Sequence, residues 1–425
     1  MSEIRRRGSE YDAIIIGGGL SGLNAAYFLA KAGYNTILFE RLPKKGLLDH
    51  PCGAMISPIK DYITFENTSD GILFKETDFL FRNDMIIDYP RIMKFTVPNG
   101  KSFGMELENP KEHLIFQIDK QKVITSLAER AERAGAHLIY GKTISRLLIE
   151  NKLIKGVIAG DNEFRASLVL SGEGLSRRFT RQANLFASAP KGYIFAYAIY
   201  LKNLSLDYKK RGQFGYFGEQ LSSVPKSSVL FHSYGKKKGL IFITLFLDDF
   251  KWSYEKSVEV YLENAISNIP FLKQIFEQGR LYDKNACWIK LMIPSNLVAN
   301  GFIGMGDSIA PLGHSSNSIA MLMGKRAAET SIGALNDNNF SATNLQDYNE
   351  LLKSNLFEGV KFEGNLISEM LNFSDQELNT LGKIFSDIDL TPFFIGSKWQ
   401  MIKSTMNLLF KKGIIKNWKL LKQLF

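Results

Sequence analysis

The stretch Tyr11-Asp12-Ala13-Ile14-Ile15-Ile16-Gly17-Gly18-Gly19-Leu20-Ser21-Gly22 decides the fold. Its first half is a strand pattern, with an unbroken apolar run from Ala13 to Ile16. Its second half satisfies G-x-G-x-x-G. Gly17 suits a tight turn, Gly19 lets a pyrophosphate approach the backbone, and Gly22 lets a helix pack on the strand. Ser21–Ala32 then carries Leu23, Ala26 and Ala30 at helical spacing, and Gly33 stops it. Asn35–Phe39 is a second apolar strand that ends at Glu40, with Arg41 next. Strand, glycine turn, helix and strand within about 30 residues make a βαβ unit, hence a parallel sheet with a right-handed crossover.

The start of that helix, at Leu20 and Ser21, offers free N–H groups and a positive dipole end to a phosphate. Glu40 stands where a carboxylate takes ribose hydroxyls. A carboxylate there repels a 2′-phosphate, so the expected adenosine belongs to FAD or NAD and not to NADP.

The remainder of the 425 residues fits an α/β core in pieces. Short strands fill Tyr62–Asn109, Lys120–Ala134 is a helix, and Ile144–Ile149 with Lys155–Ile158 forms a hairpin before the strand Ala166–Leu170. A second β group, rich in Phe, Tyr and Ile, runs through Tyr193–Leu201, Gly215–Phe217, Val229–His232 and Leu240–Leu247. Helix follows over Tyr254–Gln278, broken at Pro270. The strand Gly301–Met305, a loop and a helix from about Ser318 to Leu335 come next, and the chain is mostly helical from Asn344. We expect a Rossmann-like dinucleotide domain from residues 1–60, 110–185 and 286–337. An inserted β-rich substrate domain takes 61–109 and 186–285, and a helical C-terminal region takes 338–425.

Composition narrows the class. Hydrophobic residues make up 45% and charged residues 23%, which excludes a disordered chain. Two cysteines, Cys52 and Cys287, make no disulfide framework and point to a reducing, cytoplasmic setting. No apolar run reaches the ~20 residues of a spanning helix. No His/Cys spacing fits a zinc site, so no metal is expected, and no Gly-x-Ser-x-Gly elbow is present.

Three later segments refine the nucleotide assignment. Gly304-Met305-Gly306-Asp307, with Pro311 beyond, resembles the second fingerprint of FAD enzymes of the glutathione-reductase-like superfamily. That resemblance implies that Asp307 holds the flavin ribityl chain. Ser171-Gly172-Glu173-Gly174-Leu175-Ser176, followed by Arg178 and Arg181, resembles the middle motif of the same enzymes, with Glu173 in place of the usual aspartate. Pro51-Cys52-Gly53-Ala54-Met55-Ile56-Ser57 resembles the Pro-Cys-Gly segment of the geranylgeranyl reductase family. So do Phe116–Lys120 with its helix to Gly135-Ala136, and Gly301–Ala328 with Ala320, Gly324, Ala327 and Ala328 in step. Lys120 stands where that family tends to have arginine, and Gly313-His314-Ser315-Ser316-Asn317 replaces its Gly-x-Gly near the flavin.

The resemblance implies an FAD-dependent reductase that hydrogenates carbon–carbon double bonds of a prenyl chain, drawing electrons from NAD(P)H or ferredoxin. It implies a flavin held by Gly17, Gly19, Leu20, Ser21, Gly22, Glu40, Arg41, Cys52, Gly53, Gly174, Asp307 and Gly313. Cys52 and His314 are the candidates for proton delivery or flavin contact. Other outcomes of the same motifs are a monooxygenase or halogenase of the superfamily, or a flavoprotein that binds a prenyl lipid without turning it over. Aromatic residues of the insert are available to line the substrate site: Phe195, Tyr197, Tyr200, Phe214, Tyr216, Phe217, Phe231, Tyr234, Phe242 and Phe246. Most of them are expected in an ordinary core. Cys287, beside Trp288, is expected in core packing.

The formal charge of +10 is uneven. Ile395–Phe425 holds seven lysines and no acid, while the other 394 residues carry 46 basic and 43 acidic side chains. Ile414, Trp418, Leu421 and Phe425 fall on one helical face, with Lys416, Lys419 and Lys422 beside it. That pattern fits an interfacial helix on an anionic membrane, placing the protein peripherally on the cytoplasmic face. No nucleic-acid module is recognisable, and none is expected to bind.

Overall fold

The computed structural model describes residues 11–44, 52–59, 62–112, 114–190, 192–207, 211–222, 226–247, 258–292, 294–309, 316–353 and 369–386. The basic end, Ile395–Phe425, lies outside them, as do Gly313 and His314.

The opening motif folds as its pattern demands. Strand β1 (Tyr11–Ile16) leads through the glycines into helix α1 (Leu20–Lys31), which returns to β2 (Thr36–Glu40). β1 pairs with β2 in parallel, Ile14 opposite Ile37 and Ile16 opposite Phe39. All five residues of β2 are buried, because a central parallel strand is covered on both faces.

From Met55 to Glu106 the strands are short and go to different partners. β3 (Met55–Ile56) joins a small sheet. β4 (Phe65–Asn67), β5 (Gly71–Phe74) and β6 (Phe79–Arg82) form a meander, and β7 (Ile86–Asp88) follows. β8 (Ile92–Thr96) and β9 (Ser102–Glu106) form a hairpin. β10 (Phe116–Ile118) sits between β3 and β7, and Asp119 caps α2 (Lys120–Arg133) by accepting from the Lys122 N–H at 3.2 Å. β11 (His137–Tyr140), β12 (Arg146–Glu150), β13 (Leu153–Ala159) and β14 (Asn162–Ser171) return the chain to β1.

The first large sheet has the order β11-β2-β1-β14-β13-β12. β14 also pairs in parallel with β21 (Phe302–Gly304), which carries β20 (Val298–Ala299) on its other side. One sheet is thus assembled from the beginning, the middle and the late part of the chain. The late helix α7 (Ser316–Asn336) packs on α1, where a side chain at Gly324 would overlap the Ser21 backbone.

The second large sheet is antiparallel apart from one pair. After α3 (Arg178–Gln182), β15 (Tyr193–Lys202), β16 (Gly212–Phe217), β17 (Ser227–Tyr234) and β18 (Lys238–Leu247) follow, with α4 (Glu219–Ser222) between β16 and β17. α5 (Val258–Asn268) and α6 (Pro270–Gln278) precede β19 (Arg280–Lys290). The order is β19-β15-β18-β17-β16-β8-β9, with β16 and β8 parallel. Pro270 opens α6 at a position where its missing N–H costs nothing.

Period-two alternation assigns the faces of this sheet. Phe195, Tyr197, Ile199 and Leu201 of β15, Val229 and Phe231 of β17, and Ile241, Ile243 and Leu245 of β18 share a core with Leu262, Ile266, Leu272 and Ile275 of α5 and α6. Ala196, Ala198, Tyr200 and Lys202 therefore occupy the opposite face of β15. Residues 65–85 behave otherwise than the neighbouring β8–β9. Phe65, Phe74, Phe79, Phe81 and Met85 pack into the core of the parallel sheet, with Phe81 and Phe116 ring centroids 5.3 Å apart. The two parts of 61–109, grouped together from the sequence, thus join different cores.

Candidate functional site

The glycine turn is shaped by backbone contacts. Gly17 has φ +99°, a left-handed conformation that glycine adopts without strain, and a side chain there would overlap the Gly172 carbonyl. A side chain at Gly22 would overlap the Gly17 carbonyl. Gly19 is different: an added Cβ meets nothing within 4 Å. It is the N-cap of the twelve-residue α1 and makes no side-chain cap bond, so the helix end opens onto free space. An uncapped helix N-terminus above an open cradle fits a pyrophosphate. The Glu40 carboxylate accepts from the Gly18 N–H at 2.7 Å and from the Leu42 N–H at 2.8 Å, which locks it beside the turn. Leu20 and Ser21 are buried at the start of α1, and Arg41 is exposed.

A second element of the site is the segment from Cys52 to Ser57. Ala54 has φ +52°, and Asn317 of α7 donates Nδ2 to the Met55 carbonyl at 2.8 Å. The Ser318 hydroxyl donates to the Ser57 carbonyl at 3.0 Å. Together these fix the Cys52 thiol. Its sulfur accepts from the Ala54 N–H at 3.3 Å and from Lys120 Nζ at 3.4 Å, and Asn317 Oδ1 lies 4.0 Å away. The Tyr234 hydroxyl donates to the Cys52 carbonyl, tying the segment to β17. Gly53 lies over buried polar groups: a Cβ there would come within 2.9 Å of His232 Nδ1, and the Gly53 carbonyl accepts from Gln117 Nε2 at 3.3 Å.

Between this segment and the antiparallel sheet lies a cavity of about 260 Å³. Cys52, Ala54, Ile118 and Lys120 line one side, and Tyr200, Tyr234, Tyr282 and Asn285 the other. The register explains which side chains arrive. Ala196, Ala198 and Tyr200 face Cys287, Asn285 and Asp283 across the β15–β19 pair. Small alanines leave room, and Tyr200 then projects where the space opens. Next the register slips: Tyr200 pairs with Asp283 but Leu201 with Leu281. Tyr282 is the extra residue of a β-bulge, a device that re-aims a side chain. Asn285 Nδ2 donates to the Tyr200 hydroxyl at 3.3 Å.

The phenols are neutral at ordinary pH, and burial raises them further. It pushes Tyr200 up to about 12, helped by Cys52 and Tyr282, and lifts Tyr234 well above its ordinary value. Tyr282 is raised as well, by burial first and Asp283 second. Cys287 does not belong to a hydrophobic core, contrary to the sequence expectation. It lies on the cavity-facing side of β19, and burial pushes its thiol up to about 12.

A buried arginine joins the two sheets. Arg177 is fully buried, yet among the described residues no carboxylate forms an ion pair with it. Its Nε donates to the Asp307 carbonyl at 3.2 Å, and its Nη1 to the carbonyls of Lys290 at 2.5 Å and Met292 at 3.5 Å. Asp307 lies in the turn after β21, while Lys290 ends β19. Burial lowers Arg177 to about 10 against the pull of Asp307 and Glu173, which still leaves it charged at neutral pH. Glu173 has its own task. It accepts from the N–H groups of Arg178, Phe179 and Thr180 at 2.7, 2.8 and 2.9 Å, so it anchors the start of α3. Gly174, with φ +71°, adjoins it.

The fold thus gathers Gly17, Gly19, Leu20, Ser21, Gly22 and Glu40 at one turn, and Cys52 and Gly53 at the cavity. Asp307 is half-buried near Arg177. Of the ten aromatics of the insert, Tyr200 and Tyr234 reach the cavity. Phe195, Tyr197, Phe214, Tyr216 and Phe231 pack toward α5 and α6. Phe217 and Phe246 enter a third core, and Phe242 stacks on His232 with centroids 5.3 Å apart. Sequence inspection missed Tyr282, Asn285 and Arg177 as participants, and it took Lys120 only as a departure. The one available signal was parity with Tyr200 along paired strands. Among the described residues no cluster of metal-ligating side chains occurs, and no helix is long and apolar enough to cross a membrane.

Comparison with known proteins agrees with the cradle. Residues 12–174 match the family model "Glucose inhibited division protein A". Digeranylgeranylglycerophospholipid reductase of Thermoplasma acidophilum is 25% identical over 393 residues, covering 90% of this chain and 93% of that protein. Among solved structures, a geranylgeranyl bacteriochlorophyll reductase-like protein of the same organism superposes with a TM-score of 0.77 at 20% identity, over 96% of this chain and 99% of that one. The chondrochloren halogenase CndH, described as a variant of FAD-dependent halogenases, gives 0.64 at 14% identity, over 94% and 97%. The fold is that of FAD-dependent oxidoreductases, the cofactor is FAD, and the resemblance to geranylgeranyl reductases extends along nearly the entire chain.

Proposed function

We propose that this FAD-dependent oxidoreductase saturates carbon–carbon double bonds of a prenyl chain of the geranylgeranyl type, carried by a membrane lipid or its precursor. The cavity between Cys52 and the tyrosines of the antiparallel sheet carries the proposal. At ~30 Å³ per water-sized group, a 260 Å³ cavity takes about nine such groups, the bulk of one or two isoprene units. Ile87, Ile118, Ala54 and the tyrosine rings supply apolar wall for a hydrocarbon, and the T. acidophilum relative is named for such a substrate.

Each protein group then has a task. The open cradle at Gly19 and the start of α1 take the pyrophosphate of FAD, Glu40 the adenosine ribose, and Asp307 the ribityl chain. Reduced FAD supplies a hydride, and an isolated alkene also needs a proton on its second carbon. The Cys52 thiol gives that proton and is left as a thiolate, to which the Lys120 ammonium, 3.4 Å away, returns one. Its sulfur is fixed by the Ala54 N–H and Lys120, and Asn317 Oδ1 is placed to receive the thiol hydrogen between turnovers. The tyrosines, neutral at ordinary pH, line the cavity without adding charge beside the alkene. Electrons come from NAD(P)H bound transiently or from ferredoxin, since the chain has one dinucleotide fingerprint.

The test is direct. Protein reduced with dithionite under argon is incubated with a geranylgeranyl lipid. The expected product is heavier by about 2 Da for each bond saturated, because each event adds one hydride and one proton. Oxygen uptake with a hydroxylated product, and no mass gain under argon, would overturn the proposal in favour of an oxygenase.

A further inference from the structure

At one end of the antiparallel sheet, Arg280, Lys202, Lys238 and Tyr234 lie side by side on four adjacent strands. Lys202 is directly opposite both Arg280 and Lys238, and Lys238 is directly opposite Tyr234. Like charges in directly opposed positions destabilise a sheet unless something neutralises them. No carboxylate pairs with Lys202, Lys238 or Arg280 among the described residues. The ammonium groups of Lys202 and Lys238 instead converge on the one ring of Tyr282, 5.7 and 5.8 Å from its centroid. The β17–β18 turn extends the row with Lys236 and Lys237, both exposed. The acids nearby are Asp283, on the cavity wall, and Asp207, next to Leu206, whose N–H donates to the Lys236 carbonyl. Five cations therefore face two acids.

This row borders the cavity mouth, because Lys238 and Tyr282 are themselves part of the cavity lining. Large apolar side chains are exposed beside it: Ile87 at 40% and Tyr282 at 44%. Ile87 also lies against the Lys236 turn, since a Cβ on Gly235 would sit 3.2 Å from its Cγ2. Cations ringed around exposed aliphatic and aromatic groups are what a bilayer interface selects: anionic headgroups above, acyl chains below.

We propose that the mouth formed by Lys202, Lys236, Lys237, Lys238 and Arg280 with Ile87 and Tyr282 docks the protein on an anionic bilayer, so that a lipid chain enters the cavity straight from the membrane. The entry of substrate rests on the prenyl-lipid proposal above; the docking does not, and it is measured without turnover. Its residues are separate in sequence from the basic end of the chain, so either set can be altered alone.

The test uses full-length, FAD-loaded protein and vesicles of phosphatidylcholine with or without 30% phosphatidylglycerol. Lys236→Gln with Lys237→Gln, two positions outside the cavity lining, is compared with the parent by co-sedimentation. Each headgroup-facing lysine supports binding about fivefold, so the double variant should partition about 25-fold less to anionic vesicles. Its flavin content and its turnover of a detergent-dispersed prenyl substrate should not change. Partitioning equal to the parent would overturn the proposal, as would loss of binding only when the lysines of 395–425 are neutralised. Amide exchange on the unmodified protein gives a second readout, with protection of 235–239 expected on adding anionic vesicles. Exchange there that is unaltered by vesicles, or binding of inorganic phosphate without vesicle binding, would equally overturn it.

Discussion

The two large sheets shape their candidate sites by different means. Around the parallel sheet the geometry is set by backbone against backbone. Side chains at Gly17, Gly22 and Gly324 would each overlap a neighbouring main-chain atom, and the cradle at Gly19 is open because nothing fills it. Around the antiparallel sheet the geometry is set by side chains, chosen by strand parity and by one bulge. Tyr200, Asn285 and Tyr282 come from strands about 80 residues apart in sequence and meet only through register. A backbone-built site tolerates almost no substitution and serves one kind of ligand. A site built from side chains can change its ligand while the sheet behind it persists.

The sharpest break of this contrast is Gly324→Val. Its side chain has no room over the Ser21 backbone, so α7 must leave α1. We expect loss of at least 3 kcal/mol and of bound flavin, measured by thermal melting and by the flavin-to-protein absorbance ratio. Next comes Arg177→Met, at the seam. It leaves the carbonyls of Asp307, Lys290 and Met292 without this donor, at roughly 1–3 kcal/mol for each that water fails to reach. Both sheets should lose cooperativity, visible as a broadened melting transition. Cys52→Ala belongs to the side-chain regime. Flavin content and melting temperature should hold, while hydrogenation falls on the order of 100-fold in single turnover. An unchanged rate would exclude the thiol as proton donor.

The smallest effect is alkaline. Tyr140, beside the parallel sheet, and Tyr200, beside the cavity, are both raised to about 12, chiefly by burial. An unfolded tyrosine ionises near 10, so below pH 10 both states keep the proton and stability is flat. Between pH 10 and 12 the unfolded chain loses its proton first, and stability falls as pH rises. Tyr140→Phe and Tyr200→Phe should each flatten that fall by up to about 1 kcal/mol, since both phenols are partly open to solvent.

The same contrast explains what could be read from sequence. A backbone-built site declares itself through glycines at fixed spacing, so β1, α1, β2 and the place of Glu40 beside the turn were legible in the sequence. The discontinuous parallel sheet was legible too, because β1, β14 and β21 are apolar runs that end at a glycine. The cavity was not. Residues 65–85 and β8–β9 have equivalent alternating patterns but opposite destinations, and nothing local says which core a short strand will join. Cys287 looked like core because its neighbour Trp288 is. On a strand, adjacent residues face opposite ways, and only the register with β15 shows which of the two faces the helices. Arg177 was invisible for another reason: its partners are carbonyls, which every residue has.

The bulge at Tyr282 bears on how such a protein changes over time. A bulge is an inserted residue, and removing it restores an uninterrupted pairing in which Tyr200 still meets Asp283. One codon lost at this position would strip a wall from the cavity and disturb the lysine row beside it, yet leave every strand its partner. Here a change in the chain's phase, at the exposed edge of a sheet, offers a short mutational route to a differently shaped ligand.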